Sequence, residues 1–218
     1  MQGAGAATRP AAAAAPVPAP PDEAAAFTGR GMELLKLNRR DEALTQFEKA
    51  LSLKADDIVA LASRGNILFD LGRYDAALAN CDRLLLLRPN DAHALNMRGL
   101  ILEAFKRPEE ALASYDKAVT AAPGVIEALY NRGNILADLS RFDEALASYD
   151  KVLAIAPEAA PVLNNRGLVL EELKRLEEAL ASYDNALRIN PDYGAAANNR
   201  RLLLEEMDRL RMAGASKA

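Results

Sequence analysis

From Ala24 onward, apolar residues recur at steps of three and four, the spacing of a helix that buries one face. Between 126 and 159, Leu129, Gly133 and Leu136 form one such stripe, and Ala145, Leu146, Tyr149 and Val152 form a second. Ser140-Arg141-Phe142 interrupts them. The pattern predicts a helix over 126–139, a tight turn, and a second helix from about 143 to 155. Acidic residues open the second stripe here and elsewhere (Asp41-Glu42, Asp75, Glu109-Glu110, Asp143-Glu144, Glu177-Glu178). They suit the positive end of a helix dipole. Pro89, Pro123, Pro157 and Pro191 follow four of the second stripes and stop them, with Ala55 in that place in the first.

This two-helix unit repeats in phase. Gly31, Gly65, Gly99, Gly133 and Gly167 stand 34 residues apart. So do Ala43, Ala77, Ala111, Ala145 and Ala179, and likewise Phe47, Cys81, Tyr115, Tyr149 and Tyr183. Glycine, alanine, aromatic and terminal proline in this register resemble the 34-residue signature of the tetratricopeptide repeat family over roughly 24–193. One departure is regular: arginine, not the family's usual leucine, precedes each glycine (Arg30, Arg64, Arg98, Arg132, Arg166), and Arg200 continues the phase.

The resemblance implies an all-α, right-handed α-solenoid of five hairpins with a C-terminal capping helix. Its units would be 24–57, 58–91, 92–125, 126–159 and 160–193, capped by 194–212. In the cap Arg201 takes the glycine place, where no second helix follows to need the room. Leu203, Leu204, Met207 and Leu210 are expected to cover the last hairpin, as the ends of repeat arrays require. Residues 1–23, rich in alanine and proline, and 213–218 are expected to be disordered.

Composition narrows the function. A net charge of −4 argues against a general grip on nucleic acid. No stretch reaches the roughly 18 apolar residues of a membrane span, and 1–21 lacks the apolar run of a secretory signal. The expectation is a soluble, cytoplasmic protein without nucleic-acid or membrane partners.

Catalytic candidates are scarce. The one histidine, His93, and the one cysteine, Cys81, give no metal cluster and no internal disulfide, and Cys81 falls in the core-facing aromatic column. No glycine run has the spacing of a phosphate-cradling loop. No enzyme activity, cofactor or metal is expected. The arginines before the glycines are expected to pair with Glu48, Asp82, Asp116, Asp150 and Asp184 and so link helices. The alternative is a basic stripe for an acidic ligand. A second arginine column, Arg39, Arg73, Arg107, Arg141 and Arg175, is expected to form a solvated rim.

The candidate binding residues are asparagines. Asn131, Asn165 and Asn199 are 34 apart on the face that lines the concave surface in this family. Asn66 and Asn134 lie three residues on from that column, and Asn96, Tyr130, Asn164 and Asn198 border it. An amide offers a donor and an acceptor, matching a peptide unit. The row resembles the asparagine ladder in the tetratricopeptide superhelix of protein O-linked N-acetylglucosamine transferases, although Gly29, Ser63 and Met97 fill its other three places. Farther along, Asp70, Glu103, Asp138, Glu171, Glu172 and Glu205 make the groove acidic, and Lys36 is the exception. A clamp for a terminal carboxylate, which needs cations, does not fit. These readings imply a non-catalytic scaffold that binds an extended, neutral or basic peptide segment. Two alternatives are the substrate-recognition arm of a glycosyltransferase-type enzyme, and a module that self-assembles through its cap helix into a homo-oligomer.

Overall fold

The computed structural model describes residues 22–215, so 1–21 of the expected N-terminal tail and 216–218 of the expected C-terminal tail lie outside the described residues. Helices alternate as first and second members of hairpins: α1 (Glu23–Lys36) with α2 (Arg40–Leu53), α3 (Ile58–Asp70) with α4 (Tyr74–Leu87), α5 (Ala92–Ala104) with α6 (Pro108–Ala121), α7 (Ile126–Asp138) with α8 (Phe142–Ile155), and α9 (Ala160–Glu172) with α10 (Leu176–Ile189). The unpaired α11 (Gly194–Ala215) closes the array.

Three boundaries differ from the sequence reading. Asp22 and Glu23, assigned to the tail, start α1, because the Asp22 carboxylate accepts the Ala25 N–H at 3.1 Å and caps the helix. Phe142, assigned to the turn, is already helical. α11 runs to Ala215, past the expected end at 212.

Each hairpin turns the same way. The second residue after the first helix is left-handed: Asn38 (φ 57°), Gly72 (φ 69°), Lys106, Ser140 and Lys174 (each φ 58°). This lets the next N–H reach back to the helix, as where Arg107 N–H donates to the Leu102 carbonyl at 2.9 Å. Three of these positions carry a side chain that disfavours the conformation. Changing Lys106, Ser140 and Lys174 together to glycine should therefore stabilise the array by about 0.5 kcal/mol per site, net of the chain entropy that glycine adds to the unfolded state. A melting midpoint lower than that of the unmodified protein would contradict this.

The close approach inside a hairpin comes from small residues. Ala43, Ala77, Ala111, Ala145 and Ala179 are wholly buried. The rings of Phe47, Tyr115, Tyr149 and Tyr183 lie directly on the glycine of the facing first helix. A β-carbon on Gly99 would stand 2.3 Å from Tyr115 Cε1, closer than packed atoms approach.

Between hairpins the arginine column works as a clamp. Arg132 Nε donates to Asp116 of the preceding second helix at 2.6 Å, and its Nη1 donates to Ser148 of its own second helix at 2.7 Å. Arg98 does the same with Asp82 (2.9 Å) and Ser114 (2.9 Å), and Arg166 with Asp150 (2.8 Å) and Ser182 (2.8 Å). Arg200 also reaches Asp184. In the second hairpin Arg64 reaches Glu48 only at 3.7 Å and turns to Asn80. The carboxylates are half exposed, so each pair adds little energy. Its main effect is to set the register between hairpins. Four of the five turn arginines are exposed and hold a glutamate three residues on, for example Arg141 with Glu144 at 2.7 Å.

α11 completes the core with Leu203 and Met207, while Leu210 stays 54% exposed. No helix among the described residues is long and apolar enough to cross a membrane.

Candidate functional site

Neighbouring first helices touch one another, whereas no two second helices come together among the described residues. Helices that are close on one side and splayed on the other curve the stack, so the first helices line its concave face. All nine candidate residues sit on α3, α5, α7, α9 and α11.

The amides are joined across hairpins. Asn131 on α7 donates to Asn96 on α5 at 3.0 Å, and Asn199 on α11 donates to Asn164 on α9 at 3.0 Å. Asn165 on α9 donates to both Tyr130 (3.1 Å) and Asn134 (3.0 Å) on α7, and accepts from Asn164 at 3.3 Å. Its donors and acceptor are thus engaged inside the protein. Asn131 and Asn199 each spend one amide hydrogen on a neighbour; both are part exposed, and the oxygen and second hydrogen of each have no hydrogen-bond partner among the described residues. Asn164 is buried, Asn66 is exposed, and Asn198 is exposed and accepts from Arg201 at 3.0 Å.

The buried tyrosines reach this face from behind. Tyr149 Oη donates to Asn134 at 2.8 Å, and Tyr183 donates to Glu171. Tyr115 directs its hydroxyl toward Glu103 without reaching hydrogen-bond geometry. Burial pushes all three hydroxyls above the usual phenol range. Burial also raises the Glu103 carboxyl, opposed by Tyr115 and reinforced by the nearby charge of Asp138. Glu103, Asp138 and Glu172 have no ion-pair partner among the described residues, whereas Asp70 meets Arg40 at 3.4 Å and Glu205 meets Arg201 at 2.6 Å. Lys36 is held by Glu33 at 2.8 Å.

The sequence reading overlooked an apolar component. Met32, Leu168 and Leu202 occupy the same helical place as Asn66 and Asn134, and are 37%, 43% and 46% exposed. Their 34-residue phase was visible, but a lone exposed leucine carries no signal until the curvature of the stack is known. Leu168 joins Asn134, Asp138 and Asn165 around a depression of about 200 Å³ between α7 and α9. The surface combines amides, carboxylates and apolar side chains, and contains no nucleophile–base pair. Cys81 is 2% exposed, and burial pushes its thiol up to about 12, which makes it inert at neutral pH.

Solved structures of known proteins share this fold. YrrB, described as a tetratricopeptide repeat protein with an unusual peptide-binding site, is 26% identical, with a TM-score of 0.72 over 83% of this chain and 93% of that one. MamA from Desulfovibrio magneticus RS-1 is 22% identical, with a TM-score of 0.72 over 79% of this chain and 98% of that one. Another MamA structure is 19% identical, with a TM-score of 0.71 over 78% and 93%. Among curated proteins, none matches this chain. The family profile described as tetratricopeptide repeat matches residues 28–85, 62–126 and 127–194. With its 34-residue columns, its stacked hairpins and this match, the chain belongs to the tetratricopeptide repeat family.

Proposed function

We propose that this protein is a non-catalytic scaffold whose concave face binds an extended segment of a partner protein, neutral or basic in charge. The observation that carries this reading is the pair of part-exposed amides, Asn131 and Asn199, each held by one bond to the neighbouring first helix and each with donor and acceptor capacity left over. Held amides at fixed intervals can take the N–H and C=O groups of a peptide backbone whatever its side chains. Because the holding bonds are made before binding, less rotamer freedom is lost when a guest arrives. Leu168 and Leu202 offer apolar contact, and the unpaired Glu103, Asp138 and Glu172 favour cationic side chains over anionic ones. The peptide-binding site ascribed to YrrB supports the same use of the fold. Asn165, with both amide hydrogens spent within the protein, is assigned the role of holding the face in shape.

The test starts with peptides selected from a random twelve-residue display library against the array. The winners should be poor in aspartate and glutamate. Asn131→Ala with Asn199→Ala should then weaken a selected peptide at least about tenfold by fluorescence anisotropy, a loss of about 1.4 kcal/mol, within the range of one or two hydrogen bonds. The helical signal should be unchanged, because each amide bond lost within the protein costs only about 1 kcal/mol. Affinity undiminished by the double change, or winners rich in acidic residues, would defeat the proposal.

A further inference from the structure

The second hairpin lacks a part that the other four have. Phe47, Tyr115, Tyr149 and Tyr183 each press a ring on the facing glycine, so that a β-carbon there would lie within 2.6 Å of the nearest ring atom. Opposite Gly65 the column holds Cys81, and no atom of Cys81 comes within 4 Å of that hypothetical β-carbon. The glycine that makes room for a ring is present, but the ring is not.

The space is only partly reclaimed. Asn80 folds in, donating to the Leu61 carbonyl at 2.6 Å and accepting from Arg64 at 3.2 Å. At the corresponding place the third, fourth and fifth hairpins have the smaller Ser114, Ser148 and Ser182. Two bonds tether the Asn80 amide as one wall. Beyond it lies a pocket of about 70 Å³, floored by Cys81, Leu61 and Leu84 and rimmed by Ala62, His93 and Met97. Its volume is several times what one water needs and about half the roughly 150 Å³ of a cavity that encloses benzene, so a ring seats in part, with its remainder at the open mouth. The walls are largely apolar, and a pocket of that kind gains free energy by exchanging water for an apolar group.

The geometry points to this pocket as a binding site for a small aromatic ring, the phenyl or phenol group that the other four hairpins supply from within. Ring and glycine face each other in four hairpins of the same backbone; here the Asn80 amide stands directly over Gly65, 2.9 Å from a β-carbon placed there, so a ring lies beside that amide, against Cys81, Leu61 and Leu84. A ring entering here arrives between α3 and α5, past Ala62 and Met97, and settles on Cys81. His93 and Asn66, both exposed and both lining the pocket, give a phenol hydroxyl a polar neighbour at the entrance. The site stands independently of the peptide reading, because a free ring needs no backbone contacts.

The probe is 4-methylphenol, the tyrosine side chain as a free molecule, titrated into the isotope-labelled full chain and followed by nuclear magnetic resonance. Saturable shifts in the millimolar range are expected at Gly65, Cys81 and Met97, with the fourth and fifth hairpins unaffected. Cys81→Tyr restores the internal ring and should abolish those shifts while melting no lower than the unmodified protein. Ala62→Phe acts at an exposed rim position, so it blocks the entrance without entering the core and should abolish them too. The inference is overturned if the unmodified chain gives no saturable local shift, or if the shifts persist in Ala62→Phe or in a folded Cys81→Tyr. A null result with 4-methylphenol would leave peptide binding at Asn131 and Asn199 unaffected, so the two readings fail separately.

Discussion

Tyr149→Ala should lower the unfolding free energy by about 3–5 kcal/mol, the range for deleting a large buried ring. Tyr149 is 1% exposed and fills the seam between α7 and α8. It also donates to Asn134, which in turn accepts from Asn165. The substitution therefore opens a cavity and removes one donor from the amide network of the concave face. In a stack where each hairpin touches only its neighbours, such a defect also uncouples the units on either side. Urea melts followed by circular dichroism should show an earlier midpoint and a broader transition. Tyr149→Phe separates the two effects: it keeps the packing and removes only the hydroxyl, so it should cost about 1 kcal/mol. A loss below about 1 kcal/mol for Tyr149→Ala would mean that the ring does not hold the hairpin.

Gly99→Ala should cost clearly more than Gly65→Ala although the glycines occupy equivalent places. A methyl at 99 would stand 2.3 Å from the Tyr115 ring, which is wholly buried and has no room to retreat. Overpacking of that kind costs about 1–3 kcal/mol, enough to outweigh the roughly 1 kcal/mol that alanine gains over glycine in a helix. A methyl at 65 meets the Asn80 amide nitrogen at 2.9 Å, and making room for it disturbs the bond that this amide donates to the Leu61 carbonyl. There the helix-forming gain of roughly 1 kcal/mol offsets the cost of disturbing one amide bond, about 1 kcal/mol, so Gly65→Ala should be near neutral. Thermal midpoints of the two variants measured side by side decide the matter. Equal losses at both sites would show that the missing ring of the second hairpin has no energetic consequence.

The periodic columns carried the architecture because one backbone arrangement is used five times. Gly133, Ala145 and Tyr149 each answer a steric demand that recurs every 34 residues, and five repetitions raise a weak local signal to a specific one. The arginine–carboxylate pairing was also legible, as two columns of opposite charge held in fixed phase; what the sequence reading lacked was the serine that receives the other end of each guanidinium. Ser114, Ser148 and Ser182 are as periodic as the acids. A serine, however, points to no particular partner until distances are known.

The chain by itself determined the helices, their pairing into hairpins and the scarcity of catalytic side chains, because these follow from spacing and residue type. Only the tertiary structure decided which amides keep hydrogen-bonding capacity unused within the protein. Asn131, Asn165 and Asn199 are identical in sequence terms, yet Asn165 spends both amide hydrogens on Tyr130 and Asn134 and its oxygen accepts from Asn164, whereas the other two each spend one hydrogen. The same holds for the gap beside Cys81: the missing ring opens it, and Asn80, turning inward, fills it only in part. Hydrogen-bond saturation and packing gaps depend on distances between atoms on different helices. A one-dimensional pattern can repeat such distances, but it cannot measure them.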